Sequence, residues 1–373
     1  MAKTKVEFVC RECGASHHQW AGQCLDCKEW NTLEEIVISQ ATSSKPESLK
    51  DLPASKVQNL TEIKAQNKDR LSTGLSELDR TLGGGLVDGS VVLIGGDPGI
   101  GKSTLILQAL AKLNSDNTTL YVSGEESAEQ VSERAIRLGI KEDILFIGET
   151  HLEKIIKLSK DIKPKVIVID SIQTMVTDLS ASAPGSVTQV RDCAAQLTQF
   201  AKQTNTILLM IGHVTKGGAL AGPRILEHMV DAVLYFEGDA GGRYRIIRAV
   251  KNRFGAVNEI SVFAMGEKGL QQVSNPSSIF LSNQENPSSG SMVMVTREAT
   301  RPLLVEIQAL VDQSNGTPKR VSVGLDQNRL ALQLAILHKH SGIATFDQDV
   351  FINVVGGIKV SETASDLVVM LSI

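Results

Sequence analysis

The chain has 373 residues, of which 42% are hydrophobic and 21% are charged, and its formal net charge at pH 7 is -4. This length exceeds one ordinary domain core, so we expect two to three domains. The chain has no run of about twenty apolar residues, the length that a helix needs to span a bilayer. Its first residues lack the apolar stretch of a secretory signal. We therefore expect a cytoplasmic protein without a membrane segment. The weak net charge decides nothing about nucleic acids, because local clusters of Lys and Arg make phosphate contacts.

Four of the five cysteines form two Cys-x-x-Cys pairs near the amino terminus. Cys10 and Cys13 are followed, after ten residues, by Cys24 and Cys27. Four thiolates at this spacing fill the tetrahedral coordination of one structural zinc ion. Two disulfides are disfavoured in the cytoplasm, and iron–sulfur clusters usually have a less symmetric spacing. We therefore predict a four-cysteine zinc finger over residues 1–38, with no open metal position for a substrate.

A polar segment separates this finger from the rest of the chain. Residues 39–69 are rich in Ser, Lys, Gln and Asn and contain few large apolar side chains. Such a composition cannot bury enough surface to order itself, so we predict a flexible linker.

A glycine-rich segment lies between a strand-like apolar run at residues 90–94 and a helical pattern that opens at Ser103. Its spacing, G-x-x-x-x-G-K-S, is that of a phosphate-binding P-loop. Backbone N–H groups would surround the phosphates of ATP or GTP, Lys102 would reach the β and γ phosphates, and Ser103 would hold Mg²⁺. The predicted nucleotide-binding residues are Gly96, Asp97, Pro98, Gly99, Ile100, Gly101, Lys102, Ser103 and Thr104.

Strand-like runs alternate with helical patterns after the P-loop. These runs occupy residues 119–123, 144–147, 166–169, 207–211 and 232–236. The alternation predicts an α/β fold with a parallel sheet between helices, and a ligand beyond the carboxyl ends of the strands.

Polar side chains follow three of these strands. Asp170 follows residues 166–169, a position from which a carboxylate can hold Mg²⁺ and its waters. We predict that Glu125 activates the water that attacks the γ-phosphate, with Glu126 as the alternative base. Both glutamates could instead be solvated acids at the start of a helix. His213 could sense the γ-phosphate or have only a structural role.

The densest basic stretch spans residues 243–253, with five Lys or Arg residues and no Asp or Glu. It is either a solvated strand face or a group of cations that reaches a phosphate of DNA, or of ATP in a neighbouring subunit. Lys251 and Arg253 are the candidate catalytic cations. A second glycine-rich, basic segment follows His213. The predicted DNA-binding residues are Lys216, Arg224, Lys251, Asn252 and Arg253.

Taken together, these motifs resemble the RadA (Sms) family of bacterial DNA-repair proteins. The resemblance covers essentially the whole chain, including the glycine run at residues 82–86, residues 226–239 and the motif at residues 251–255. It also includes Trp20 and Trp30 in the finger, where they would cover the metal-binding turns or contact a partner.

The resemblance implies a RecA-like ATPase core over residues 70–275 that uses ATP and Mg²⁺, beside the Zn²⁺ of the finger. It further implies a hexameric ring that acts on single-stranded and branched DNA together with a RecA-type recombinase. The expected activity is ATP-driven unwinding or branch migration in recombination, DNA repair and natural transformation. The alternative is an ATP-regulated assembly factor that binds single-stranded DNA without unwinding it.

The same resemblance implies a Lon-protease-like α+β domain over residues 276–373, truncated at the end of the chain. Residues 301–306 and 349–357 match the opening of such a domain. The best register places Ala364 at the position of the nucleophilic serine, with Ser365 one position away. We therefore expect no proteolytic activity.

Overall fold

The computed structural model describes residues 5–10, 15–38, 70–114, 116–180, 182–213, 223–237, 243–282 and 288–373. Cys13, Lys216 and the predicted linker at 39–69 lie outside the described residues, as does the side chain of Arg224. Contacts between Cα atoms divide the chain into two units. The first is Met1–Val257 with Phe263–Gln272, and the second is Asn258–Val262 with Val273–Ile373. The domain boundaries inferred from the sequence stay a prediction.

The amino-terminal segment forms a three-stranded antiparallel sheet. Strand β1 (Lys5–Cys10) pairs with β2 (Ser16–His17) and with β3 (Leu33–Ile38). Among its described side chains, the buried apolar ones are those of Cys10, Cys24 and Leu33. A segment of this length is too short to build a stable core without a metal or another cross-link. Trp20 and Trp30 are 61% and 68% exposed, so most of each residue is accessible to a partner.

A nine-stranded sheet, counted among the described residues, carries the P-loop. Its strands are β4 (Val91–Gly96), β5 (Thr119–Ser123), β6 (Leu145–Gly148), β7 (Val166–Asp170), β8 (Ile207–His213), β9 (Ala232–Glu237), β10 (Tyr244–Asn252), β11 (Ile260–Gly266) and β12 (Gly269–Gln272). They lie in the order β12–β11–β10–β9–β4–β8–β7–β5–β6. The six strands β4 to β9 run parallel to one another, as the alternating pattern predicts. Strand β10 runs antiparallel to β9.

Apolar layers cover both faces of the parallel strands. The helices of these layers are α1 (Ser76–Thr81), α2 (Lys102–Leu113), α3 (Ala128–Leu138), α4 (Leu152–Ile162) and α5 (Val187–Thr204). In β7, Val168 packs in the layer that contains Leu110 of α2, whereas Ile167 packs in the layer that contains Leu197 of α5. Because side chains alternate along a strand, a strand between two helical layers is apolar at every position. This is why β4, β7 and β8 contain unbroken apolar runs.

The second unit contains a four-stranded sheet and two helices. Its elements are β13 (Ser291–Glu298), β14 (Arg301–Gln313), β15 (Arg320–Val323), α6 (Gln327–Ile336), β16 (Gln348–Val354) and α7 (Ser365–Ser372). The strand order is β13–β14–β16–β15, with β15 parallel to β16 and the other pairs antiparallel. The mixed arrangement is α+β, and its likeness to the Lon protease stays a prediction.

Ser365, the serine nearest to the predicted nucleophile position, lies at the first position of α7. Its side chain is buried, and its hydroxyl donates to the carbonyl oxygen of Glu362 at 2.6 Å. A buried hydroxyl that donates to the backbone is not exposed for nucleophilic attack, which supports the expectation of no proteolysis. Among the described residues, no helix is long and apolar enough to cross a membrane.

Candidate nucleotide site and metal centre

The P-loop connects the end of β4 to the start of α2 and has a backbone that only glycine adopts readily. Gly99 and Gly101 have φ angles of 75° and 113°, in the left-handed region. A Cβ atom on Gly101 would also lie 2.8 Å from Cε of Met265. The left-handed backbone therefore favours glycine at position 101, and the close approach of the flexible end of Met265 adds a smaller constraint.

Lys102 is the buried cation of this loop, with a side chain that is 3% exposed. Its Nζ atom donates to the carbonyl oxygens of Gly96, at 2.8 Å, and Asp97, at 2.9 Å. Burial lowers the pKa of Lys102 to about 8, although the carboxylates of Asp170 and Glu125 act in the opposite direction. The ammonium group is therefore held at the site by backbone oxygens and only partly compensated by charge.

Asp170 ends β7 beside the start of α2. Its side chain is buried, and it accepts a hydrogen bond from the hydroxyl of Tyr121. Burial raises the pKa of Asp170 above its ordinary value, while hydrogen bonds from Ser103 and Tyr121 act to lower it. The Asp170–Ser171 peptide bond is cis. A carboxylate and a hydroxyl at this point form an oxygen-donor set that fits Mg²⁺.

Glu125 and Glu126 follow β5 but have different partners. Glu125 accepts a hydrogen bond from the hydroxyl of Ser171, and its Oε2 lies 3.3 Å from Nε2 of His213. The hydrogen bond with His213 is the main cause that lowers the pKa of Glu125. Glu126 instead forms an ion pair with Arg134 of α3. Of the two candidate bases, Glu125 is thus the one that lies at the ends of β7 and β8.

Strand order explains why these side chains meet. Strands β5, β7 and β8 are parallel neighbours, and their carboxyl ends carry Glu125, Asp170 and His213 respectively. A cavity of about 350 Å³ opens at this edge. Its lining residues are Pro98, Gly99, Gly101, Lys102, Ser103, Thr104, Glu125, Glu126, Arg134, Arg137, Asp170 and His213. Ammonium, guanidinium and hydroxyl groups beside a loop of backbone amides fit a triphosphate with its metal ion.

The cations predicted to be catalytic lie at the other edge of the sheet. Because β10 runs antiparallel to β9, Asn252 pairs with Ala232, the first residue of β9. Lys251 and Arg253 therefore lie at the amino ends of the parallel strands, whereas the P-loop lies at their carboxyl ends. They do not reach the nucleotide site of their own chain, so a role at ATP requires a second copy.

A buried carboxylate holds Arg253 in place. Nη1 of Arg253 lies 3.3 Å from Oδ1 of Asp231, and Oδ2 of Asp231 accepts from Nζ of Lys202 at 2.6 Å. The same oxygen accepts from the backbone N–H of Val91, the first residue of β4, at 3.1 Å. Lys251 donates to the carbonyl oxygen of Glu227 at 2.6 Å. The motif is thus tied to the strand that leads into the P-loop.

The basic stretch at residues 243–253 is not one surface. Arg245 is buried, and its Nε atom donates to the carbonyl oxygen of Ile100 at 2.9 Å. Arg248 forms an ion pair with Glu237 at 2.7 Å. Because residues alternate between the two faces of a strand, the sequence run divides into cations with different environments. Neither interpretation of the sequence, a solvated face or a phosphate-binding group, describes Arg245.

Three predicted metal ligands converge in the amino-terminal sheet. The Sγ atoms of Cys10, Cys24 and Cys27 lie within 4.8 Å of one another. His17, which the sequence analysis did not consider, has its Nε2 atom 3.5 Å from Sγ of Cys24. Three thiolates brought together at one point form a donor set that fits a tetrahedral metal such as zinc.

Known protein families match the metal-binding segment and the P-loop region of this chain. Residues 58–219 match the AAA domain family, and residues 8–35 match a rubredoxin metal binding domain. The chain is 57% identical over 375 residues to the DNA repair protein RadA of Pseudomonas aeruginosa. This match covers all of the chain and 83% of that protein. The chain belongs to the RadA family.

More distant relatives agree with this assignment. Identity is 54% over 380 residues with the DNA repair protein RadA of Escherichia coli, across 100% of this chain and 83% of that protein. Identity is 47% over 378 residues with the DNA repair protein RadA of Bacillus subtilis, across 100% of this chain and 82% of that protein. The matches confirm the family resemblance, the P-loop ATPase core and the metal-binding ribbon that the sequence predicts.

We predict that ATP binding at pH 8 is coupled to proton uptake. Because burial lowers the pKa of Lys102 to about 8, about half of the free chains carry a neutral amine at that pH. Negative phosphates raise this pKa, so binding should take up about half a proton per site. Calorimetry in buffers of different ionisation enthalpy measures the uptake. At about pH 6.5 Lys102 is already charged, and its contribution should vanish; equal uptake at both pH values would contradict the prediction.

We also predict one zinc ion per chain, bound by the cysteine cluster. Cys24→Ser should reduce the bound zinc by about one ion per chain, because three thiolates hold the metal less strongly than four. Elemental analysis measures the metal and separates zinc from iron. Cys193→Ser is the matched control, because Cys193 is buried among the helices of the P-loop unit and should leave the zinc in place. Full zinc content in Cys24→Ser contradicts the assignment.

Proposed function

We propose that the chain is an ATP-driven motor that moves along single-stranded and branched DNA during recombinational repair. The observation that carries the proposal is the cavity that brings Lys102, Asp170 and Glu125 together in a chain of the RadA family. These three groups bind a triphosphate, hold its metal and activate water, the parts that ATP hydrolysis needs.

Each side chain has a separate part in this reaction. Ser103 and Asp170 would hold Mg²⁺, which supplies neutralisation of phosphate charge when it is bound. Lys102 donates to the β and γ phosphates. Glu125, which is ionised and held by Ser171 and His213, accepts the proton of the attacking water. His213 contacts this base and precedes in sequence the segment that contains Lys216, so we propose that it transmits a change at the γ-phosphate to a predicted DNA contact.

We assign the work on DNA to a ring of several copies, with six as the expected number. Lys251 and Arg253 lie at the amino edge of the sheet, so they support contact with the ATP of a neighbouring copy or with DNA rather than with their own ATP. Asn252, Lys216 and Arg224 are the other proposed DNA contacts. A RecA-type recombinase is the proposed partner, since branch migration extends the joint that such a protein makes.

The assignment of the base is tested by Glu125→Gln. Loss of a general base should lower kcat for ATP hydrolysis by about 10² to 10⁴ while ATP binding is retained. Glu126→Gln is the matched control, because Glu126 is paired with Arg134 and should affect kcat much less. Steady-state hydrolysis and nucleotide binding measure both effects. Equal losses of kcat in the two variants would contradict the assignment to Glu125.

The motor is tested by ATP hydrolysis and strand displacement with and without forked DNA that carries a single-stranded arm. We expect forked DNA to stimulate hydrolysis and the chain to displace the annealed strand. Lys102→Ala should abolish both activities, because the phosphates lose their buried cation. Displacement that persists in Lys102→Ala contradicts the motor. DNA-stimulated hydrolysis without displacement supports the alternative, an ATP-regulated assembly factor.

A further inference from the structure

Arg245 occupies an inward position of β10 that is otherwise apolar. On the same face of the strand, Ile247 and Ala249 are fully buried, and Arg245 is itself only 2% exposed. Burying a guanidinium group is costly unless its N–H donors find acceptors, because the charge loses its water. The position therefore needs a reason that packing alone does not supply, since an aliphatic side chain would fit the pattern of this face.

Two backbone carbonyls are among the acceptors of Arg245, and one of them belongs to the P-loop. Nε donates to the carbonyl oxygen of Ile100 at 2.9 Å, and Nη1 donates to that of Tyr244 at 2.9 Å. The carbonyl of Ile100 and the N–H of Gly101 belong to the same peptide group. In a planar trans peptide these two groups point in opposite directions.

We infer that Arg245 is a positioning residue for phosphate binding, acting through the Ile100–Gly101 peptide. The guanidinium fixes the carbonyl of Ile100 on the side of β10, which directs the N–H of Gly101 to the opposite side, where Gly101 lines the nucleotide cavity. Without this bond the peptide is free to rotate, and one amide of the phosphate cradle loses its fixed orientation. The inference rests on the proposed ATP site and adds a residue to it.

Side chains of the two strands that follow β10 also lie against Gly101 of the loop. A Cβ atom on Gly101 would lie 2.8 Å from Met265 of β11 and 3.3 Å from Leu270 of β12. Gln108 of α2 exchanges two hydrogen bonds with the backbone of Leu270, at 3.0 and 3.3 Å. Residues of β10, β11 and β12 thus pack against the P-loop and α2. Among the residues named here, Arg245 is the charged one.

The test compares ATP hydrolysis and ADP binding in the full chain and in Arg245→Met, which keeps an unbranched apolar stem and removes every donor. Because hydrogen bonds from charged groups are among the stronger ones, we expect the KM for ATP and the Kd for ADP each to rise about tenfold or more. The kcat at saturating ATP should stay within about twofold, since the groups that act on water are untouched. A merely structural role would lower the active fraction, and with it kcat, without raising KM.

Lys112→Met is the matched control, because Nζ of Lys112 donates to the carbonyl oxygen of Gly74, at 2.8 Å, near the other end of α2. Loss of this cation-to-carbonyl bond should leave the KM and Kd unchanged. Folded Arg245→Met with the ADP affinity of the parent chain overturns the inference. If this variant does not fold, Arg245→Lys decides: a KM raised about threefold or more supports the inference, because one donor cannot replace the guanidinium fork, and an unchanged KM overturns it. A parent chain that binds no ADP contradicts the ATP site itself and the inference with it.

Discussion

The buried ammonium group of Lys102 is the charge on which the nucleotide site depends. Two carbonyl oxygens of its own loop accept its hydrogen bonds, and nearby carboxylates compensate its charge only in part. Such a cation is costly to bury alone and gains most from a multivalent anion. The folded loop is therefore prepared to bind a triphosphate. The left-handed backbone at Gly99 and Gly101 allows the loop to curl around the phosphate site.

Strand direction separates the chemistry into two edges. Parallel strands deliver Asp170 and Glu125 to the carboxyl edge, and the antiparallel return of β10 delivers Lys251 and Arg253 to the amino edge. Asp231 joins the two, because it binds Arg253 and also the first amide of β4, the strand that ends in the P-loop. One rigid strand thus connects the cation motif of a subunit to its own phosphate site. In the ring that we propose, this connection would link the ATP site of one copy to that of its neighbour.

The sequence predicted those features that are local or that repeat along the chain. The P-loop, the apolar runs and the acids that follow them could be read in order, because each depends on residues adjacent in sequence. Tyr121, Arg134 and Arg245 could not, because their roles depend on which strands and helices become neighbours: Tyr121 reaches Asp170 only because β5 lies beside β7. The available signal for Arg245 was its place on the same face of β10 as the apolar Ile247 and Ala249, and for Tyr121 it was a hydroxyl in the middle of a buried strand.

The P-loop is held from both of its sides by charged donors that bind backbone oxygens. Lys102 binds the carbonyls of Gly96 and Asp97 from inside the loop, and Arg245 binds that of Ile100 from the sheet. With the carbonyl of Ile100 engaged by Arg245, the N–H of Gly101 faces away from the guanidinium, because these two groups point in opposite directions in a planar trans peptide. On our proposal, one amide of the anion site is thus oriented by a cation, Arg245, that need not touch the anion. The proposed role gives a physical reason for an arginine at a position where the strand pattern favours an aliphatic residue.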